Sequence, residues 1–496
     1  MPRPRSLDLP ITLDRAGVPL HRAIYDALRD AMLSRRLRPG ARLPSSRDLA
    51  SQLGVARGTV VEIYEQLTSE GYLAGRHGSG TFVAAKLPDR WFSAPPTAPT
   101  RGVSPRGPRL SKWARSLDVP PFPIAPRPPA RPFRSHIPAV DAFPSELWGQ
   151  LLARRARRDD KLLLDDADAR GYQPLREALT DHLRVSRGVV CDEEQLVIVS
   201  GVQRALDLVV RLTADPGDRV WIEDPCYAGV HVVLDANGVA VVPVRVDDSG
   251  LDVRAGIRSA PDARLAYVTP GHQSPLGVTM SIERRTQLLS WASDSGAFII
   301  EDDYDSEYRY EERPVPVLQG LDRMGSVIHV GTFSKTLLPS LRLAYVVLPP
   351  ALVEPFVRAL ANLDRFTPTL SQAVLADFIA AGHFGRHLRK MRELYAARRA
   401  ALLEALESEL AGIVKVVGAS AGLEVTVRLP DDVDDVALCE QLAASSIEAL
   451  PLSVFTLKGR ATQGLVLGFA AFSPARLKRA VGVLARVIRG RAAGVT

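Results

Sequence analysis

The sequence predicts two domains of different fold class, a small unit of three helices with a β-hairpin and a large α/β domain built on a mainly parallel sheet. Two observations predict this division. Residues 87–135 contain 13 of the 38 prolines, a density that excludes helix interiors and central strands. After this segment, helical stretches alternate with short β-rich runs, which is the pattern of an α/β fold.

The part before the prolines has the spacing and the turn residues of a three-helix unit. Every fourth residue of the first predicted helix is apolar, namely Leu20, Ile24, Leu28 and Met32. The Ser45–Ser46 pair supplies N-cap residues for a second helix, and Gly54 suits its carboxyl end. A third helix is predicted at about residues 57–70, followed by short strands at residues 71–73 and 78–83 around a glycine-rich tip. This order of elements indicates a winged helix-turn-helix.

Seven β-rich runs predict the sheet of the large domain. They lie at residues 195–200, 219–223, 240–244, 265–269, 297–302, 326–330 and 343–348. Several are apolar throughout, as strands buried on both faces of a parallel sheet should be. Long helices after about residue 355, with strands near residues 423–429 and 465–469, predict a smaller α+β subdomain.

Composition and charge narrow the class of protein. Hydrophobic residues make up 46% of the chain and charged residues 24%, which is ordinary for a globular protein. The sequence shows neither a long apolar run nor a signal peptide, so we expect a cytoplasmic protein without a membrane partner. Three widely spaced cysteines (Cys191, Cys226 and Cys439) predict no disulfide and no metal site.

The net charge of +7 is unevenly distributed along the chain. Residues 1–86 carry a net charge of +5 and residues 87–135 carry +7, so the remainder carries −5. A basic amino-terminal part on an acidic body predicts that only this part faces a polyanion.

Six segments within residues 12–85 resemble the winged helix of the GntR superfamily. They are residues 19–25 (PLHRAIY), 37–50 (LRPGARLPSSRDLA), 53–60 (LGVARGTV), 64–67 (YEQL), 70–73 (EGYL) and 78–83 (GSGTFV). The resemblance implies that this domain binds double-stranded DNA, with the start of the third helix in the major groove and the wing in the minor groove. The residues that it implies at the DNA are Arg47, Arg57, Thr59, Arg76, His77 and Gly78. Many relatives carry Ser or Thr before the arginine of the third helix, whereas this chain has Ala56, so a helix-capping hydroxyl is missing.

Residues 331–345 (GTFSKTLLPSLRLAY) resemble the Schiff-base segment of the fold-type I aminotransferases, which use pyridoxal 5′-phosphate (PLP). The resemblance implies that Lys335 is the catalytic lysine that forms the Schiff base. It also implies that the side chains of Thr332, Ser334 and Arg342 bind the phosphate, to which hydroxyl groups and a guanidinium group are suited.

Three further segments supply the other groups that PLP requires. The acids that end the strand at residues 299–303 face the ligand crevice of an α/β sheet, and we assign Asp302 to the pyridine nitrogen. Asp303 is the competitor, because a slip of one residue exchanges the two acids. The resemblance places Tyr304 near the phenolic oxygen and stacks Tyr227 on the ring. The remaining predicted phosphate contacts, between a strand and a helix, are Gly201, Val202 and Gln203.

The fusion of these two domains resembles the MocR/GabR type of GntR regulator. The predicted division is a DNA-binding domain at residues 12–85, a proline-rich basic linker at 86–135 and an aminotransferase-like effector domain at 136–496. The resemblance implies a domain-swapped homodimer on an operator with paired half-sites. It also implies that PLP, or its aldimine with an amino compound, controls operator binding and thereby genes of vitamin B6 or amino-acid metabolism.

Two alternatives stay open at this point. In the first, the chain is an active aminotransferase with a fused DNA-binding domain. In the second, it is a GntR repressor whose second domain has lost its cofactor. True aminotransferases carry an arginine for the substrate carboxylate in a late strand, but residues 464–469 (GLVLGF) contain none, and Arg460 lies outside the matching run. The sequence therefore favours a half-reaction at most over sustained turnover.

Overall fold

The computed structural model describes residues 19–76, 80–88, 109–116, 128–157, 163, 165–310, 316–459 and 461–493 of the chain. The chain divides into two compact units, Met1–Arg109 and Leu110–Thr496.

The first unit has the predicted order of three helices and a hairpin. Its elements are α1 (Leu20–Leu33), α2 (Ser46–Leu53), α3 (Arg57–Ser69), β1 (Leu73–Arg76) and β2 (Gly80–Val83). The two strands pair antiparallel, with Leu73 opposite Val83 and Arg76 opposite Gly80. The helices bury one apolar core, and the spacing of its residues confirms the predicted helical faces. Among the core residues are Ile24, Leu28, Met32, Leu49, Val60, Ile63 and Leu67.

Helices α2 and α3 begin with different N-cap residues. The Oγ of Ser45 accepts a hydrogen bond from the backbone N–H of Asp48 at 3.2 Å, so α2 is capped, and it ends at Gly54 with φ of 67°. Ala56 is the N-cap of α3 and makes no side-chain hydrogen bond. The first N–H groups of α3 are therefore left without a capping side chain.

The second unit is built on an eight-stranded sheet, and each run predicted between residues 195 and 348 forms one of its strands. The strands are β3 (Leu196–Val199), β4 (Arg219–Asp224), β5 (Ala240–Asp247), β6 (Gly250–Leu251), β7 (Leu265–Val268), β8 (Phe298–Asp303), β9 (Val327–Thr332) and β10 (Ala344–Val347). Their order across the sheet is β3-β10-β9-β8-β7-β4-β5-β6. Strand β10 is antiparallel to both neighbours, and the short β6 is antiparallel to β5. The remaining pairs are parallel.

Helices cover this sheet and extend into the carboxyl-terminal part. They are α4 (Lys112–Ser116), α5 (Ser145–Ala156), α6 (Gln173–Arg187), α7 (Val202–Thr213), α8 (Ala228–Ala236), α9 (Val253–Ser259), α10 (Ile282–Ser295), α11 (Leu318–Leu321), α12 (Phe333–Thr336), α13 (Pro350–Leu363), α14 (Thr369–Ala380) and α15 (His383–Leu410). Strands β3, β7 and β10 are buried along their whole length, as expected for a sheet covered on both faces.

A smaller antiparallel sheet follows, as predicted. It contains β11 (Lys415–Val417), β12 (Glu424–Arg428), β13 (Leu450–Pro451) and β14 (Gly464–Gly468), in the order β11-β12-β14-β13. The helices of this subdomain are α16 (Asp435–Ala444) and α17 (Pro474–Ala493). The mainly parallel sheet with a smaller α+β subdomain confirms the predicted fold class.

Residues 128–135, at the end of the predicted linker, pack against the smaller sheet. Phe133 is fully buried and forms a β-bridge with Gly468. Arg134 pairs with Glu448, with 2.7 Å between Nε and Oε2. This packing differs from the extended spacer that the proline content suggested, because Phe133 and Arg134 find an apolar site and a carboxylate on a distant part of the chain. Within the described ranges, no helix combines the length and the apolar character needed to cross a membrane.

We predict that Ala56→Ser stabilises the start of α3. A serine at this N-cap can accept a hydrogen bond from the first turn, which is worth about 1 kcal/mol. Amide hydrogen exchange of residues 57–62 in the full-length protein should slow by about fivefold.

The matched control is Ser45→Ala, which removes the existing cap of α2 and should speed exchange in α2 by a similar factor. Unchanged exchange in α3 of the Ala56→Ser variant would show that this helix start is not limited by its cap.

Candidate functional site

Most of the residues predicted to bind the cofactor lie at one edge of the large sheet. Strands β3, β4, β7, β8 and β9 run in the same direction, because β10 is antiparallel to both β3 and β9 while the other pairs are parallel. Their carboxyl ends therefore share one edge, which is where α/β sheets bind ligands. Gly201 follows β3, and Lys335 lies in α12 directly after β9.

Lys335 lies in a short helix that Thr332 caps. The Oγ1 of Thr332 accepts a hydrogen bond from the N–H of Ser334 at 3.1 Å. The Nζ of Lys335 donates to the carbonyl oxygen of His136 at 2.9 Å. Burial lowers the pKa of Lys335, against the opposing effect of the nearby carboxylates of Glu424, Asp305 and Asp302. A lowered pKa favours the neutral amine, which is the nucleophilic form.

Asp302 is buried and has one oxygen available. Its Oδ2 accepts a hydrogen bond from the hydroxyl of Tyr267 at 2.7 Å. Its Oδ1 is buried and has no hydrogen-bond partner among the residues that the structure describes. Burial raises the pKa of Asp302 to about 6, although the hydrogen bond from Tyr267 acts in the opposite direction. A cationic N–H donor is the partner that would satisfy this carboxylate.

Asp303 points to a different partner. Its Oδ2 accepts hydrogen bonds from Nε (3.1 Å) and Nη2 of Arg187. Both side chains are buried, and the ion pair outweighs burial, so the pKa of Asp303 is lowered. The Oδ1 atoms of both acids lack a partner among the described residues, so the ion pair with Arg187 is what distinguishes Asp303 and supports the assignment of Asp302 to a ligand.

A guanidinium group and a helix start lie together near the end of β3. Gly201 is the N-cap of α7 and has φ of 144°, a conformation that favours glycine. A Cβ at this position would lie 2.8 Å from Nη2 of Arg342, so a side chain here would displace the guanidinium. Arg342 forms no hydrogen bond or ion pair within the described ranges. A phosphate group could be bound here by the guanidinium group of Arg342 together with the first N–H groups of α7, at Val202 and Gln203.

The ring of Tyr227 is held by α7 and α8. The Nε2 of Gln203 donates to the Tyr227 hydroxyl at 3.2 Å. A Cβ on Gly229 would lie 2.4 Å from the Tyr227 ring, so the ring lies directly on this backbone. Burial raises the pKa of Tyr227 to about 12, which keeps the hydroxyl protonated.

Tyr304 belongs to a hydrogen-bonded group with His272 and Asp305. The hydroxyl of Tyr304 lies 3.1 Å from Nδ1 of His272, and the same nitrogen lies 2.9 Å from Oδ1 of Asp305. Burial alone lowers the pKa of His272, but Asp305 reverses this effect and the pKa is raised. A Cβ on Gly271 would lie 2.2 Å from the Oγ of Ser306, so a side chain at position 271 would displace Ser306.

Glu223 holds the loop that follows β7. It accepts hydrogen bonds from the N–H and hydroxyl of Thr269, the latter at 2.6 Å, and from Nε2 of Gln273 at 3.2 Å. Burial raises the pKa of this carboxyl to about 7. The loop carrying His272 is fixed from beneath by this buried group.

Two of the predicted DNA contacts are exposed close to each other, Arg57 at the start of α3 and Arg47 in α2. Arg57 is exposed, and its Nε lies 3.4 Å from Oγ of Ser46. Arg47, the residue after Ser46, is also exposed, so the predicted DNA contacts of α2 and α3 lie close together. Thr59 is half-buried in the first turn of α3.

The predicted wing contacts are less completely described. The backbone of Arg76 ends β1, while His77 and Gly78 lie outside the described residues. Arg42 was not predicted, but it forms a β-bridge with Phe82 and lies against Gly80.

Four residues of the candidate site were not predicted from the sequence, namely His136, Arg187, Tyr267 and Glu424. Each contacts a residue that is distant from it in the sequence. Only Tyr267 had a sequence signal, because it lies in one of the apolar runs that predicted the sheet. Within the described residues, no group of three or more His, Cys, Asp or Glu side chains could hold a metal ion.

Two protein-family models match the chain. Residues 20–83 match the bacterial regulatory proteins of the gntR family. Residues 151–484 match aminotransferase class I and II.

Several whole-length relatives combine the two parts. A probable rhizopine catabolism regulatory protein MocR of Rhizobium meliloti is 39% identical, covering 96% of this chain and 95% of its own length. The HTH-type pyridoxine biosynthesis transcriptional regulator PdxR of Corynebacterium glutamicum is 31% identical, covering 94% of this chain and 95% of its own length.

The second unit is similar to solved aminotransferases. The crystal structure of LysN, an alpha-aminoadipate aminotransferase from Thermus thermophilus, is complexed with N-(5′-phosphopyridoxyl)-L-leucine. It superimposes with a TM-score of 0.68 at 28% identity, covering 73% of this chain and 93% of that one.

We predict that the two neighbouring acids respond oppositely to amidation. Asp303→Asn leaves the buried Arg187 without a charge partner and should lower the free energy of unfolding by about 3–5 kcal/mol. Asp302→Asn keeps an acceptor for Tyr267 and removes a carboxyl whose pKa is raised, so it should not destabilise the protein at neutral pH.

The pH dependence follows from the same difference. Burial raises the pKa of Asp302 from 3.8 to about 6, so the wild type loses stability relative to Asp302→Asn as pH rises through this interval, by up to about 3 kcal/mol. Urea unfolding of the wild type and both variants, from about pH 4 to pH 8, measures this difference. Equal losses in the two variants would contradict the assignment.

Proposed function

Because the chain belongs to the MocR-type family, in which a GntR domain is joined to an aminotransferase class I and II domain, we propose that it is a transcription regulator controlled by PLP. In this proposal the first unit binds operator DNA. The second unit binds PLP and senses an amino compound. The observation that carries the proposal is the Lys335 amine, which donates to the carbonyl of His136 in the same site as the buried Asp302, whose Oδ1 lacks a partner among the described residues.

The residues of the site fit PLP on three independent points. The free Oδ1 of Asp302 suits a protonated pyridine nitrogen. The guanidinium of Arg342 at Gly201, with the start of α7, suits the phosphate dianion. The Tyr227 ring, held by Gln203, is suited to stack on a planar ring. When bound, PLP supplies an aldehyde that condenses with primary amines and a ring that withdraws electrons.

The protein's own groups would position that chemistry. Lys335 offers a primary amine whose lowered pKa favours the reactive neutral form. Asp302, fixed by Tyr267, would hold a proton on the ring nitrogen. Tyr304 would donate toward the phenolic oxygen, and its hydroxyl is oriented by His272. These roles are the ones that the resemblance implies, and the burial and hydrogen bonds above support them.

The DNA-binding half of the proposal rests on the first unit. Arg47 and Arg57 are exposed at the starts of adjacent helices, where a recognition helix meets the major groove. We propose that the regulator binds paired half-sites as a domain-swapped homodimer. Binding of an amino compound would favour one of two arrangements of the protein and so change operator affinity.

Sustained aminotransferase activity is a weaker alternative. Strand β14 lies in the run that contains no arginine for a substrate carboxylate, and Val466 within this strand is fully buried. The Lys335 segment leaves room for a stoichiometric half-reaction with an amine. Multiple turnovers with amino acids and 2-oxo acids would favour the enzyme over the regulator.

We predict that Lys335→Ala abolishes the covalent capture of PLP. After incubation with PLP and reduction by borohydride, the wild type should carry a phosphopyridoxyl group on the peptide that contains Lys335, as measured by mass spectrometry. The variant should carry none. Lys390→Ala, which removes an exposed lysine of α15, is the matched control and should behave like the wild type.

The same proteins test the coupling to DNA. We expect PLP to change the affinity of the wild type for an operator selected from random duplexes, measured by fluorescence anisotropy, and to have no effect on Lys335→Ala. Operator affinity that is the same with and without PLP in the wild type would end the regulatory part of the proposal.

We also predict that Arg57→Ala weakens operator binding by about tenfold or more, since a base contact contributes roughly 1–3 kcal/mol. Arg22→Ala removes an arginine of α1 that pairs with Asp26 at 3.2 Å, and this control should bind within about twofold of the wild type. Equal losses of operator affinity in both variants would indicate non-specific electrostatic attraction to DNA and not base recognition by helix α3.

A further inference from the structure

We propose that the amino compound sensed by this protein is a primary amine that carries a second hydrogen-bond donor and no carboxylate, and that Glu424 binds this second donor. The donor is an ammonium or a hydroxyl group. This inference rests on the proposed function, because it places the amine at Lys335.

The first observation is the apolar character of strand β14, which lies in the run where the resemblance would place an arginine for a carboxylate. Val466 is fully buried and packs with Leu276, Leu452 and Phe455. It pairs in register with Thr426 of β12, whose hydroxyl donates to the carbonyl of Pro275 at 2.5 Å. This face of the smaller sheet therefore offers an aliphatic side chain and an occupied hydroxyl, and neither can neutralise a carboxylate.

The second observation is the carboxylate two residues before Thr426. Glu424 lies on the same face of β12, since side chains alternate along a strand. It is only 4% exposed. Its Oε2 lies 3.1 Å from Nδ1 of His136 and accepts a hydrogen bond from the His136 N–H at 3.3 Å. Its Oε1 is buried and has no hydrogen-bond partner in the described part of the chain. A buried carboxylate oxygen that lacks a donor is destabilising, so this atom is suited to a ligand.

Glu424 is close to the reactive amine. His136 connects the two, because its carbonyl accepts from Lys335 while its N–H and ring contact Glu424. The attraction of Glu424 also opposes the lowering of the Lys335 pKa by burial, as expected of neighbouring charges. An amine at Lys335 would thus have its second group within reach of Oε1.

The surroundings of Glu424 disfavour an acid. Asp305, a second buried carboxylate, accepts a hydrogen bond from the N–H of Leu423 at 3.3 Å. Arg134, two residues before His136, is already paired with Glu448 and donates to the carbonyl of Pro128 at 2.9 Å. A carboxylate on the ligand would meet Glu424 and Asp305 and be repelled.

A matched series of amines tests the proposal. Its four members share a four-carbon chain and differ in the terminal group: 1,4-diaminobutane, 4-amino-1-butanol, butylamine and 4-aminobutyrate. Binding to the PLP-loaded protein is followed by isothermal titration calorimetry. We expect the diamine to bind about 10-fold to 100-fold more tightly than butylamine, because a hydrogen bond between charged groups provides a gain in affinity of this size. We expect 4-aminobutyrate to bind with the lowest affinity of the four.

The variant Glu424→Gln keeps the shape of the side chain and removes its charge. It should reduce the advantage of the diamine over butylamine, measured as the ratio of their affinities in the same variant, by about tenfold or more. Glu448→Gln is the control, because Glu448 contacts the same segment through Arg134. It should bind the diamine as the wild type does.

The contrary results are equally defined. Any one of four results would overturn the inference. These are equal affinity for the four amines, tighter binding of 4-aminobutyrate than of the diamine, no detectable binding of the diamine, and an unchanged preference for the diamine over butylamine in Glu424→Gln. PLP capture by Lys335 and operator binding are measured separately in every variant. A failure confined to the amine series therefore leaves the proposed function standing, while loss of PLP capture or of operator binding in the wild type refutes that function itself.

Discussion

Three carboxylates at and just after the end of strand β8 are buried, and the second unit must provide each with a partner. Asp302 receives the hydroxyl of Tyr267, Asp303 receives the guanidinium of Arg187, and Asp305 receives the ring of His272. Because a buried unpaired carboxylate is costly, these pairings constrain how α6, β7 and the loop after β7 meet β8. The pleat sends Asp302 and Asp303 to opposite faces, so only one of them remains for a ligand.

The fold was largely predictable, whereas the partners within the site were not. Apolar runs such as residues 265–268 and the spacing of residues 20–32 report burial directly, so strands and helices followed from local pattern. Lys335 and Asp302 were predicted as site residues because each lies in a compact segment that resembles a known family. Choosing Asp302 over Asp303 needed Arg187, which is more than 100 residues away in the sequence. No local pattern records which distant side chain completes an ion pair.

The linker shows a related limit of sequence patterns. Its proline content predicts that long helices are absent, but proline density says nothing about where an extended segment packs. Residues 128–135 lie on the smaller sheet because Phe133 is buried beside Gly468 and Arg134 pairs with Glu448. A glycine is required at 468, since a Cβ there would lie 2.1 Å from the carbonyl oxygen of Arg134. The information was present in the chain, but it was divided between two segments more than 300 residues apart.

This packing also brings the end of the linker into contact with the reactive amine. His136 follows directly after residues 128–135, and its carbonyl accepts the hydrogen bond from Lys335 while its ring pairs with Glu424. A ligand that engages the Lys335 amine must compete with this carbonyl, whereas the His136 ring contacts Oε2 of Glu424 and leaves Oε1 without a partner among the described residues. The two ligand-facing groups of the second unit are therefore connected through one residue to the segment that leads back to the first unit. Under the proposed function, a ligand that displaces Lys335 from His136 would change the contacts of this segment, and such a change is what a population shift requires.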